Sequence, residues 1–324
     1  MVLARLALFF SLIAAAAFPA SSQPYPTHPI ALIVPFAAGG PTDTIARIMG
    51  ERMGKSLGQP VLIENVTGAG GSIAVTKLAR AVPDGYTIGI GHIGTHVIVE
   101  AIQPVQFDVL KDLDPVGLIC SNPQLLIAKL STPANNLREY MEYVKANASK
   151  VTAGTGGAGT PAHLSAVYFQ QKTGANFEIV HYRGAAPATQ DVIAGHIDMN
   201  FDQTASSIPV YKAGKVKAFA VTAPKRVAAA PDVPTVDEAG LPGFYMSVWH
   251  GIWAPHGTPP AVIAKLNAAI VEALADRDVR KRLEDLGQDI MPTDQQSPAA
   301  LGAFHKAEID KWWPLIKQAG IKSE

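Results

Sequence analysis

Three glycine-rich turns hold the residues best suited to chemistry in this chain. The first contains Phe36, Ala37, Ala38, Gly39 and Gly40 and runs through Pro41 and Thr42 to Asp43. The second spans Asn65 to Ser72, and the third runs from Gly154 through Thr155, Gly156, Gly157, Gly159 and Thr160 to His163. Each turn leaves a strand-like run and enters a helix-like one. A helix start presents unpaired backbone N–H groups and a partial positive charge, which suits an anion. Glycine adds close backbone approach. One such turn carries little weight, because glycine also serves tight turns; three in one chain point to a small-anion site. An anion at a helix start gains about 0.3–1 kcal/mol, rising to ~2 when partly buried. Each charge-assisted hydrogen bond adds roughly 1.5–3 kcal/mol. Micromolar binding needs about 8 kcal/mol, so a few such bonds suffice without any arginine.

Other groups with chemical potential are sparser. Asp202 ends a strand and faces the same edge as the turns, where it can accept a bond from a ligand or cap the next segment. His163 opens a helix and either touches a ligand or orients the third turn. Gly154, Gly156 and Gly159 also spell G-x-G-x-x-G, the dinucleotide pattern. The acidic residue that should follow, Glu178, precedes its strand instead of ending it. Gly70-Gly71-Ser72-Ile73-Ala74 falls one residue short of a nucleophile elbow. His92 and His96 lie beyond a strand and need not share a helix face, and the sequence has no H-E-x-x-H and no cysteine cluster, so no metal site is expected. Cys120, the single cysteine, sits in an apolar run and reads as a buried small hydrophobe.

The elements that must position these residues alternate. Ile30 to Val34 is a continuous apolar, β-branched run, suited to a strand buried on both faces. Ile45, Ile48, Met49 and Met53 then recur at helical spacing. Strands are expected at Val61 to Ile63, Tyr86 to Ile90, Leu125 to Ala128, Val151 to Ala153, Ile179 to Tyr182, Ile197 to Phe201, Ala218 to Val221 and Trp249 to Ala254. Helices are expected at Ile73 to Arg80, Leu137 to Ala146, Pro161 to Lys172, Pro187 to Ala194, Ala261 to Ala275, Val279 to Leu286 and Pro298 to Ala319. Thr258 reads as an N-cap, with Pro259 at the first helical position. Such alternation means α/β units with mainly parallel sheets, which bind ligands at the carboxyl ends of their strands.

Composition narrows the classes. The 324 residues suit two domains, 48% are hydrophobic, and the formal net charge is zero. There is no basic stripe, so no nucleic-acid partner is expected. Met1 to Arg5 carries one positive charge, and Leu6 to Ala17 is apolar but too short to span a bilayer. Ala20 and Ser22 then supply the small −3 and −1 residues for cleavage before Gln23. Residues 1–22 therefore read as a secretory signal peptide, which implies an exported protein.

The same segments carry a family resemblance. The chain resembles the Bug/TctC family, periplasmic receptors of tripartite tricarboxylate transporters. The match rests on Tyr25 to Ile30, Val34 to Gly40 with Asp43, Ala46 and Arg47, Leu57 to Pro60, Glu64-Asn65, Gly68 to Gly71 and Pro83 to Thr87. It continues through Tyr182 to Gly184, Pro231 to Thr235 with Glu238 and Gly240, Ala254-Pro255 and Gly257 to Pro259. The resemblance implies a two-domain periplasmic-binding-protein (Venus flytrap) fold, crossed twice by the chain. Domain 1 would comprise residues 23–124 and 247–324, and domain 2 residues 125–246. It places a carboxylate (a dicarboxylate, amino acid or aromatic acid) between the loops Phe36 to Asp43 and Thr155 to Thr160, near His163, with Asp202 at its distal end. His92 to His96 and Gln203 to Ser206 occupy the cleft positions that select the ligand. The implied protein is a monomeric receptor without cofactor that serves membrane permease subunits. A module that reports to a membrane sensor kinase is the alternative; a secreted hydrolase or a nucleotide-dependent oxidoreductase fits the residues less well.

Overall fold

The computed structural model describes residues 25–318 and 320–322, so the expected signal peptide and the last residue of the final expected helix lie outside the described residues. In chain order the elements are β1 (Ile30–Val34), α1 (Pro41–Leu57), β2 (Val61–Asn65), α2 (Ser72–Ala79) and β3 (Thr87–His92). A π-helical turn, Gly94–Ile98, leads into α3 (Val99–Ile102) and β4 (Leu113–Ala128). Next come α4 (Leu137–Ala146), β5 (Thr152–Thr155), α5 (Pro161–Thr173), β6 (Glu178–His181), α6 (Ala185–Ala194) and β7 (Met199–Gln203). The chain ends with α7 (Thr204–Lys212), β8 (Lys217–Val221), β9 (Ser247–Pro255), α8 (Pro260–Ala275), α9 (Arg277–Asp285), β10 (Asp289–Ile290) and α10 (Pro298–Gln318).

Two α/β halves share one long strand. In the first half β2, β1 and β3 pair in parallel, and β9 then lies antiparallel between β3 and β4. In the second, β6, β5 and β7 pair in parallel, and β4 lies antiparallel between β7 and β8. Each half is therefore a mixed sheet rather than a mainly parallel one: parallel strands form one edge, and antiparallel pairing surrounds β4 and β9, with β10 and β8 each paired antiparallel to β4. β4 exchanges its β9 partner for β7 and β8 between Pro123 and Gln124.

Each sheet is buried on both faces, as the run at Ile30 to Val34 requires. Ile30, Leu32 and Val34 pack with Ile45, Met49 and Met53 of α1 and Leu266 and Ile270 of α8. Ile33 points the other way, toward Val75, Leu78, Trp253 and Leu301. In the second half Phe169, Phe201 and Phe244 fill one side, and Leu125, Ile127, Val192 and Val221 the other. Cys120 is fully buried, and burial pushes its thiol pKa up.

Two local expectations need correction. Thr258 does not cap α8: its hydroxyl donates to the Pro255 carbonyl at 2.7 Å, and α8 starts at Pro260 with Pro259 before it. The strand expected at Leu125 to Ala128 is the end of the 16-residue β4, whose internal Pro115 and Pro123 mask its length in the sequence.

Candidate functional site

The starts of α1 and α5 converge on one cavity. It is lined by Phe36, Pro41 and Thr42 from the first half and by Gly156, Thr160, Pro161, Ala162 and Ala185 from the second. His92, Gln124, Phe201, Asp202 and Gln203 complete the wall. Its volume is about 30 Å³, room for one or two waters rather than an organic ligand. The two halves meet closely around it. The Ala37 amide donates across to the Arg183 carbonyl at 3.3 Å. A Cβ placed on Gly70 would stand 2.1 Å from the Ala158 carbonyl oxygen, and one on Gly184 would stand 3.0 Å from the Ala37 nitrogen.

Both helices begin with proline, which lacks the N–H a helix start cannot use and pre-sets φ. The first loop is held by a charge. Asp43 accepts bonds from the Gly39 amide at 2.8 Å, from Asn65 at 2.9 Å, and from Arg47 at 2.8 and 3.0 Å. Burial works to raise the Asp43 pKa, but the bonds from Arg47, Gly39 and Asn65 outweigh it and hold the carboxyl below its usual range. The third loop is held by neutral groups. Thr160 caps α5: its hydroxyl donates to the Gly157 carbonyl at 2.7 Å and accepts from the His163 amide at 3.4 Å. His163 Nδ1 accepts the Gly159 amide at 3.2 Å, and the Thr155 hydroxyl accepts the Gly157 amide at 3.2 Å. Burial, with a smaller contribution from His181, pushes His163 down to about 4.

The expected site residues therefore divide. Phe36, Gly156, Thr160 and Asp202 line the cavity. Ala38 and Gly39 are turned to solvent, and a Cβ on Gly39 would meet nothing within 4 Å, so Gly39 serves the turn through its φ of +81°. Asp43 and His163 shape their own loops, and neither is part of the cavity wall. The amides of Ala37, Gly39, Gly40, Gly157, Gly159 and Thr160 are all engaged within the protein. The Thr155 hydroxyl also bonds His181 Nδ1 at 2.6 Å. What remains for a ligand is the first-turn amides, above all those of Thr42 and Ala162, which a helix leaves without an internal partner.

Side chains add further donors. His92 Nδ1 accepts the Gly94 amide at 2.8 Å, which places the proton of the neutral ring on Nε2. Burial pushes His92 down to about 4, so the ring is neutral near pH 7. Phe36 stacks on it, with centroids 5.0 Å apart. Behind it lie His250, which bonds the Thr42 hydroxyl at 3.3 Å, and His96, stacked on Trp253 at 3.9 Å. His305 Nε2 donates to the His96 carbonyl at 2.6 Å. Sequence reasoning named the stretch from His92 to His96 but not Gln124 or His250. Gln124 sits at the partner exchange of β4, and no local pattern marks it. Among the described residues no group of three or more His, Cys, Asp or Glu is placed to hold a metal ion. Glu178 stands at the start of β6, as the sequence indicated, so the dinucleotide reading gains no ribose partner there.

Comparison with known proteins agrees with this geometry. The family model described as "Tripartite tricarboxylate transporter family receptor" matches residues 45–321. A UPF0065 protein from the TAR-I ttuE-ttuC' intergenic region of Agrobacterium vitis is 40% identical, covering 91% of this chain and 86% of its own length. The structure of the periplasmic binding protein BugD is 40% identical with a TM-score of 0.89, covering 93% of this chain and all of that one. MatC (Rpa3494) from Rhodopseudomonas palustris, solved with bound malate, is 40% identical with a TM-score of 0.87, covering 90% of this chain and all of that one. The two-domain α/β architecture is thus that of periplasmic binding proteins, and the matched family is one of receptors, not enzymes. The chain belongs to the tripartite tricarboxylate transporter receptor (Bug/TctC) family.

Proposed function

We propose that this protein captures a small carboxylate in the cleft between its two halves, in the periplasm, and delivers it to the membrane permease subunits of a tripartite tricarboxylate transporter. The observation that carries the reading is the convergence of two helix starts on one cavity, with no lysine or arginine in its wall among the described residues. Helix-start amides, His92 Nε2–H and the cleft glutamines supply the donors that a carboxylate needs. Malate in MatC supports the ligand class. Among the described residues no helix is long and apolar enough to cross a membrane. A cavity of about 30 Å³ admits such a ligand only if the halves part, so binding is coupled to a hinge at the two crossings, one within β4 and one just before β9. Residues 23–124 with 247–324 then move against residues 125–246, within a monomer.

The test is calorimetry and thermal melting with a panel of aliphatic, amino and aromatic acids. At least one acid should bind and raise the melting temperature, as mass action requires. Gly70→Val should fold yet lose at least 100-fold in affinity, because its side chain would strike the Ala158 carbonyl before the cleft shuts. If every acid is silent, or if Gly70→Val binds like the wild type, the reading fails.

A further inference from the structure

The polar lining of the cavity is one-sided. Gln124 Oε1 accepts from the Ser165 hydroxyl, which leaves the Gln124 amide NH₂ to donate. Gln203 Oε1 accepts from Asn122 at 3.4 Å, which leaves its NH₂ likewise. His92 presents Nε2–H, and the helix starts present backbone N–H groups. Asp202 is the exception. It is 1% exposed, lines the same cavity, and in its ionised form can only accept.

A carboxylate offers about four acceptor positions. Three at Asp202 are taken: by the Gln203 amide at 2.9 Å, the Thr189 hydroxyl at 2.9 Å and the Ser206 hydroxyl at 2.6 Å. Among the described residues no lysine or arginine lines the cavity to neutralise it. One acceptor position therefore remains in a chamber otherwise built of donors. A second ionised carboxylate brought against it would be repelled at low local dielectric, whereas a hydroxyl or ammonium group would complete the set. A site built to bond a ligand donor discriminates strongly against the analogue that lacks it.

We propose that Asp202 is the specificity-determining residue of this receptor, selecting hydroxy and amino carboxylates over plain acids of the same skeleton. The proposal rests on the carboxylate reading above and names the class within it. Its test is titration calorimetry at pH 7.5 with skeleton-matched acids: succinate against L-malate and L-aspartate, and benzoate against 4-hydroxybenzoate. In the wild type a donor-bearing acid should bind at least 10-fold tighter than its plain counterpart. Asp202→Asn, which offers an N–H in place of one acceptor oxygen, should bring that ratio toward one by strengthening the plain acid. The wild-type ratios alone decide the matter if the variant does not fold. Equal or tighter binding of the plain acids by the wild type overturns the role of Asp202, as does a variant whose ratio is unchanged. If none of the five acids binds, the carboxylate reading beneath the proposal falls instead.

Discussion

The two walls of the cleft reach the same backbone arrangement by different side-chain chemistry. Each ends a strand, turns through glycines and opens a helix with proline, so each presents first-turn amides to the cavity. On the first wall α1 has no side-chain cap, and its loop is pinned by Asp43, neutralised by the half-exposed Arg47. On the second wall Thr160, His163 and Thr155 pin the loop with neutral hydrogen bonds. The ionisable groups buried in and behind the walls differ too. On the first, His92 is in the wall and His96, His250 and His305 stand behind it, while Asp202 and His163 belong to the second. An anion site thus tolerates a structural carboxylate where a guanidinium cancels it, and the two walls should respond differently to charge.

Acid should separate them most. Burial holds His92 at about 4 and lowers His96, His250 and His305 as well. A histidine whose folded pKa lies below its ordinary value of about 6.5 stabilises the fold above that pH, and the contribution is lost as pH falls toward 4. For His92 alone this amounts to ~3 kcal/mol. On the second wall His163 acts in the same direction. Asp202 opposes it: burial raises its pKa to about 6, so its contribution is present below the ordinary value of about 4 and is lost as pH rises through 6. The melting temperature should fall between pH 6.5 and 4, and hydrogen exchange should show β3 and β9 losing protection before β5 and β7. Earlier exposure of β5 and β7 would break the comparison.

Asp43→Ala comes next. It removes the acceptor for Gly39, Asn65 and Arg47 together, and should cost about 2–3 kcal/mol in denaturant unfolding with an unchanged slope. Affinity should drop along with it, because the α1 start loses its fixed position. A loss below 1 kcal/mol would show that the charge does not hold the first wall. Thr160→Ala on the second wall should be milder, about 1 kcal/mol for a lost cap, with binding reduced only several-fold. If it proves costlier than Asp43→Ala, the contrast between a charged and a neutral staple is reversed.

Much of this molecule is legible in its residues. The run at Ile30 to Val34 announced a doubly covered strand, and the helix at Leu137 to Ala146 has the bounds its apolar spacing indicated. The glycine turns marked the cleft, and Phe36, Gly156, Thr160 and Asp202 do line it. These features are set by contacts within a few residues, where turn chemistry and periodicity act. The folded chain alone decided which amides were left over. Asp43 satisfies Gly39, and His163 satisfies Gly159, so the glycine loops are scaffolding, while the helix starts behind them carry the free donors. Partners far apart in the chain fixed the rest: His250 meets Thr42 across 208 positions, and Gln288 meets Asn122 across 166. Spacing in a sequence states what a neighbour three or four residues away can reach. It is silent on which distant group will saturate a buried donor, and that saturation is what separates a turn that shapes the cleft from one that touches its guest.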